Sequence, residues 1–150
     1  MHALLALVSL LNISIIEGQK VSGLFNLSEK IIEILENEKK WIINYFIFLL
    51  NLLKIIGYDI DYQKNTSKDY LNLDNLQFSN SSISKSIKFP HLLLNSKNDI
   101  NLENANSFFR VFEIILQNHH LNNMNLNIPT NYFKFKKIIL NFLIKNEKHN

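Results

Sequence analysis

The stretch WIINYFIFLLNLLKIIG, Trp41–Gly57, decides how the rest of the chain is read. Its polar members are Asn44, Asn51 and Lys54, and Lys40 stands just before it. The intervals of 4, 7 and 3 put all four on one narrow helical stripe and leave the other sides apolar. A helix apolar around most of its girth belongs in a protein interior or in a membrane. The run is shorter than the ~20 apolar residues a span needs. It therefore reads as a central, mostly buried helix over about 41–56, closed by Gly57 in a left-handed conformation. A small membrane-associated protein anchored by residues 41–56 is the alternative, and a helical scaffold fragment without activity is another.

Upstream, MHALLALVSLLNISII has an apolar core like that of a secretory leader. No Lys or Arg precedes that core and no small-x-small cleavage site follows Ile16, so a helix over about 2–14 is the better reading. Leu4, Leu7, Val8 and Leu11 form its expected inner face. After the connection Glu17–Lys20, a second helix runs from about Ser22 to Asn37, with Leu24, Leu27, Ile31, Ile34 and Leu35 inward and Glu29, Lys30, Glu33 and Glu36 outward.

Downstream, about 59–101 turns polar and loses helical periodicity. Tyr70–Leu73 and Leu76–Phe78, joined through Asp74-Asn75, suit a short hairpin, and Pro90 breaks the chain before Leu92. Helical spacing returns over about 103–117, with Phe108, Val111, Phe112 and Ile115 inward. Asn118–Asn127 reads as a loop. Pro129 opens a last helix over about 130–146, whose expected apolar face is Phe135, Ile138, Ile139, Phe142 and Leu143. The fold class is all-α: about five helices packed as a bundle, with an irregular polar insertion. Neither flank of the insertion is large enough to hold a core alone, so residues 1–150 form one domain.

That length can bury a sizeable core, and 47% hydrophobic content excludes a disordered chain. The absence of cysteine excludes disulfides, thiol nucleophiles and cysteine-based metal centres. Three glycines are too few for a phosphate-cradling loop or a dinucleotide fingerprint. The net charge of +3 is unevenly placed: residues 1–58 sum to 0, residues 59–130 to −1 and residues 131–150 to +4.

Few residues suggest catalytic chemistry. His119-His120 cannot chelate a metal without a third ligand, and both read as solvated loop residues; His91 and His149 add nothing convergent. Asp59, Asp61, Asp69 and Asp74 do not follow a calcium-loop pattern and suit turns and caps. No G-x-S-x-G elbow surrounds the serines at 79–86. The sequons beginning at Asn12, Asn26, Asn65 and Asn80 are what chance places in an Asn- and Ser-rich chain. An enzyme is not expected. The feature suited to a partner is the row Lys134, Lys137, Asn141, Lys145 and Lys148, a basic stripe that can neutralise phosphates or an acidic tail. Tyr132 and Phe133 beside it could stack on bases. A plain solvated helix face is the other reading of that row.

The run Asn44–Tyr62, with Gly57-Tyr58 followed by Ile60-Asp61-Tyr62, resembles a segment of the RecO recombination-mediator family. There a hydrophobic helix ends in Gly-Tyr or Gly-Phe before an apolar-Asp-apolar turn. Ala3–Leu7 and Gly23-Leu24-Phe25 resemble the family's preceding helices. Phe89-Pro90-His91-Leu92-Leu93 and the arrangement of Phe108–Leu116, Ile128-Pro129 and the final helix resemble its later part. The resemblance implies Phe25, Gly57, Tyr58, Asp61, Pro90 and Pro129 as structural signature residues. It also implies a non-enzymatic role in DNA repair and recombination in the bacterial cytoplasm. The implied partners are single-stranded DNA, SSB and RecR, in support of strand annealing and RecA loading, with no small-molecule substrate and no membrane.

Departures from the family pattern bear on this. The family's N-terminal OB-fold has no counterpart before the first helix, so the chain is expected to represent the helical C-terminal region alone. Many members carry a cysteine zinc motif whose first cysteine would fall near Asn65; without it no zinc or other cofactor is expected, and the 63–89 segment should be looser. The arginine often found after the family's late proline would fall at Tyr132.

Overall fold

The computed structural model describes residues 1–15, 21–37, 41–95 and 100–147. The connection Glu17–Lys20, Lys40, Lys148 and His149 lie outside the described residues. Helix α1 is His2–Ser14, α2 Leu24–Asn37 and α3 Trp41–Ile55. Strands β1 (Tyr70–Asn72), β2 (Phe78–Ser79) and β3 (Ser86–Lys88) follow, then a short helix α4 (His91–Asn95), α5 (Leu102–Ile115) and α6 (Thr130–Glu147). The architecture is thus five long helices around one core, with a small sheet inserted between α3 and α5.

Helix α3 occupies the centre, against α2, α4 and α5. Its Tyr45, Phe46, Leu49, Leu52 and Leu53 are fully buried, while Asn51 and Lys54 of the polar stripe are exposed. Phe46 meets Phe108 at 4.4 Å and Phe109 edge-on at 5.1 Å, tying α3 to α5. Trp41 stacks on Phe135 at 5.8 Å and Tyr45 meets the same ring edge-on at 5.0 Å, tying α3 to α6. The membrane alternative loses its basis here, because the side chains an anchor would present to lipid are covered by other helices. Among the described residues no helix is long and apolar enough to cross a membrane.

The end of α3 follows from Gly57. Its φ of +104° reverses the chain, and the Tyr58 amide donates to Leu53 O at 2.8 Å, the closing bond of a left-handed helix cap.

The insertion is more regular than its composition suggests. β1 pairs antiparallel with β2 (Leu71 opposite Phe78) and with β3 (Leu71 opposite Ile87), in the order β2-β1-β3. The third strand was not legible in the sequence. Asn72 shapes the first turn, its Oδ1 accepting from the amides of Asp74 (2.9 Å) and Asn75 (3.2 Å). Leu71 is fully buried, and Phe78, Phe89 and His91 pack as a ring cluster, Phe89 lying 5.2 Å from Phe78 and 4.8 Å from His91.

Two inner faces differ from expectation. On α1 the buried side chains are Ala6, Leu7, Leu10 and Ser14, while Leu4 and Val8 are exposed. This helix carries no Lys, Arg, Asp or Glu, so its pattern marks no single face sharply, and its contacts, chiefly with α6, select the buried one. On α6, Phe135, Ile139 and Leu143 are buried together with Tyr132, while Ile138 and Phe142 face outward.

The segment expected as a loop after α5 begins as a π-helical turn, Leu116–Leu121, followed by a 3₁₀ turn, Asn122–Met124. Leu116 and Leu121 are fully buried and anchor it. Gln117 ties it to the returning chain, donating through Nε2 to Leu126 O at 2.9 Å and accepting through Oε1 from the Ile128 amide at 3.3 Å.

Candidate nucleic-acid interface

Helix α6 is held on two sides. Asn131 Nδ2 donates to Ser9 Oγ on α1 at 2.9 Å. On the other side Lys136 Nζ pairs with Glu113 Oε1 of α5 at 2.6 Å, and the Tyr132 hydroxyl donates to the same carboxylate oxygen at 3.0 Å. At its far end Glu147 Oε1 accepts from the Leu102 amide at 2.9 Å, satisfying a free donor in the first turn of α5. α6 therefore runs antiparallel to α5: residues 132–136 meet Glu113, and Glu147 meets Leu102.

These ties orient the lysines. The buried residues Tyr132, Phe135, Ile139 and Leu143 point one way, and Lys134, Lys137, Asn141 and Lys145 point the opposite way, all exposed. Among the described residues, Lys134, Lys137 and Lys145 have no carboxylate partner. Lys148, the fifth position of the stripe, lies outside the described residues. Lys136 differs from its neighbours: it is only 23% exposed, paired with Glu113, and its ammonium lies 5.5 Å from the Phe109 ring centroid.

The two aromatic neighbours separate. Tyr132 is fully buried against Phe109 and Phe112, so it cannot stack on a base. Burial, and then the Glu113 carboxylate beside it, hold its hydroxyl well above the usual tyrosine range. Phe133 is 44% exposed and stays available next to Lys134 and Lys137.

The expected signature residues hold dispersed positions. Gly57 and Tyr58 form the α3 cap, and the Tyr58 hydroxyl reaches across to His119 O. Asp61 is exposed, pairs with Lys64 at 3.2 Å, and lends its carbonyl to Asn65 Nδ2 at 2.8 Å. Pro90 is buried just ahead of α4, and its carbonyl accepts from the Leu93 amide at 3.1 Å. Pro129 stands immediately before α6 and accepts from the Tyr132 amide at 3.0 Å. Phe25 is 71% exposed, so it is no part of this domain's own core.

The histidine pair is not solvated as expected. His119 Nε2 bonds to Leu73 O, and His120 Nε2 lies 3.0 Å from Ser14 O, so both side chains are half-buried ties between the π-helical turn and other elements. Among the described residues no three His, Asp or Glu side chains converge as a metal site would require.

Sequence reasoning also missed an apolar groove of about 430 Å³ between α6 and the start of α1, lined by Met1 and Leu4, Ile32 of α2, Trp41 of α3, and Phe135 and Ile138 of α6. Its residues are drawn from four helices, so no local pattern announces it.

Compared with known families, residues 1–83 match the model described as recombination protein O C terminal. The match spans α1 to β2 and includes Phe25, Gly57, Tyr58 and Asp61, while the lysine face of α6 lies beyond it. No curated protein and no solved structure matches the chain.

Proposed function

The chain belongs to the recombination protein O C-terminal family, more than half of its length matching that model, and on this premise we propose that it acts by binding, as a mediator of DNA repair and homologous recombination. In this reading it works in the bacterial cytoplasm, contacting single-stranded DNA, SSB or RecR to support strand annealing and RecA loading. The exposed face of α6 is the contact. The observation that carries this assignment is the contrast along one helix: Lys136 is neutralised by Glu113, whereas Lys134, Lys137 and Lys145 stand exposed and unpaired among the described residues. Ammonium groups free of internal partners are what a phosphate backbone displaces counterions to reach. Phe133 at the margin of the stripe adds a ring on which a base can stack.

Fluorescence anisotropy with a labelled oligothymidine tests this. Binding should weaken steeply with salt. The combined substitution Lys134→Glu and Lys137→Glu should weaken it further and flatten the log–log salt slope by about 1.4, the share of two phosphate contacts on a single strand. Unchanged affinity in the double variant would remove the α6 assignment.

A further inference from the structure

Helix α6 carries an exposed aromatic ring that its neighbours hold in place. Phe133 is 44% exposed, and the Tyr132 ring meets it edge-on at 5.3 Å. The Lys136 ammonium lies over the same ring, 6.0 Å from its centroid. That ammonium is itself fixed, by Glu113 Oε1 at 2.6 Å and by the Phe109 ring at 5.5 Å. Tyr132 is fully buried and is tied by its hydroxyl to the same carboxylate oxygen. Phe25 and Phe142 are exposed too, but among the described residues neither makes a ring or ammonium contact. Phe133 alone of these three combines a restrained ring with a place beside the basic stripe. Lys134 follows it directly, and Lys137 stands one turn later on the same side.

We propose that Phe133 makes the α6 face selective for strands with unpaired bases, and that Lys136 is the positioning residue that holds its ring for stacking. The lysines alone cannot make this choice, because phosphates attract ammonium groups whether a strand is paired, unpaired or stripped of its bases. A π-face adds affinity only where a base is free to lie on it. A freely rotating side chain loses rotamer freedom when it stacks, and a ring already restrained by Tyr132 and Lys136 loses less. Lys136 thus serves the interface without touching a phosphate: Glu113 neutralises it, and its ammonium restrains the ring. Stacking engages the face of a base and not its edge, so the selection is for unpaired bases and not for a sequence. This deepens the nucleic-acid reading of α6 and rests on it.

Anisotropy titrations of the full chain with two labelled strands test the proposal: oligothymidine, and an abasic strand of the same length that keeps the phosphates. The unsubstituted chain should bind oligothymidine about tenfold more tightly than the abasic strand. Phe133→Ala should abolish that preference and leave affinity for the abasic strand unchanged. Phe133→Trp should keep it, with a tryptophan emission that oligothymidine quenches and the abasic strand does not. Lys136→Met should lower the preference about threefold, and Lys136→Arg, which keeps a cation over the ring, should preserve it. Equal affinity for the two strands, equal weakening of both by Phe133→Ala, or a preference unmoved by Lys136→Met would each overturn the proposal. Lys134→Glu combined with Lys137→Glu should weaken both strands alike, so that loss beside an absent preference faults the role of Phe133 alone. Failure of both strands to bind the unsubstituted chain would overturn the nucleic-acid reading, and this proposal with it.

Discussion

The hydroxyl of Tyr58 donates to the main-chain carbonyl of His119 at 2.7 Å, joining residues 61 apart in the chain. Its ring lies 5.7 Å from the ring centroids of both His119 and His120. One side chain thereby seats the π-helical turn on the end of α3. Tyr58→Phe keeps the ring and removes the bond, so unfolding stability should fall by about 1 kcal/mol. Urea denaturation reads this as a lower midpoint with an unchanged slope.

Gly57 sets where that tyrosine starts from. A Cβ at this position would meet nothing within 4 Å, so the cost of Gly57→Ala lies in the backbone alone, at φ +104°. A loss of about 1 kcal/mol or more is expected, because alanine must hold a conformation that glycine adopts freely. Thermal unfolding should show a lower midpoint with far-ultraviolet helicity retained.

Alkaline pH should unfold the protein earlier than exposed tyrosines would. Burial raises the hydroxyl of Tyr45 far above the ordinary value of 10.0, and burial together with Glu113 does the same for Tyr132. Both groups keep their protons in the folded state and lose them near pH 10 once unfolded. Their contribution is therefore intact below that pH and is lost as pH rises above it, at up to about 2.7 kcal/mol per pH unit for the pair. Tyr45→Phe should roughly halve that slope. It should cost nothing at neutral pH, because the buried Tyr45 hydroxyl has no hydrogen-bond partner. Denaturation midpoints measured from pH 8 to 11 decide the matter.

Lys136 and Lys137 are adjacent, yet their substitution should have opposite consequences. Lys136→Ala strips a partly buried ion pair from Glu113, which is 21% exposed, and should destabilise by about 1–3 kcal/mol. Lys137→Ala touches no internal partner and should stay within about 0.5 kcal/mol of the parent. Chemical denaturation separates the two, and oligothymidine affinity should fall for Lys137→Ala.

Much of this was readable from residues alone, and for identifiable reasons. The buried role of α3 follows from a polar stripe too narrow for a surface helix and a run too short for a membrane span. Its end follows from the one residue type that accepts φ +104° at no cost. The outward lysines of α6 follow from their spacing. The faces of α1 and α6 were misjudged because both helices carry apolar residues on more than one side, and period alone cannot rank two apolar stripes. Asn118–Asn127 looked like a loop because its polar majority hid Leu121, whose burial depends on a distant core.

The linear order of residues was thus sufficient wherever a property is local: helical period, chain reversal at glycine, and the charge of a stripe. The tertiary structure alone decided which of two neighbouring lysines is neutralised, that Tyr132 is enclosed while Phe133 is open, and that residues of α1, α2, α3 and α6 line one groove. Those distinctions depend on which helices meet, and contact between segments many residues apart is set by how the whole core packs.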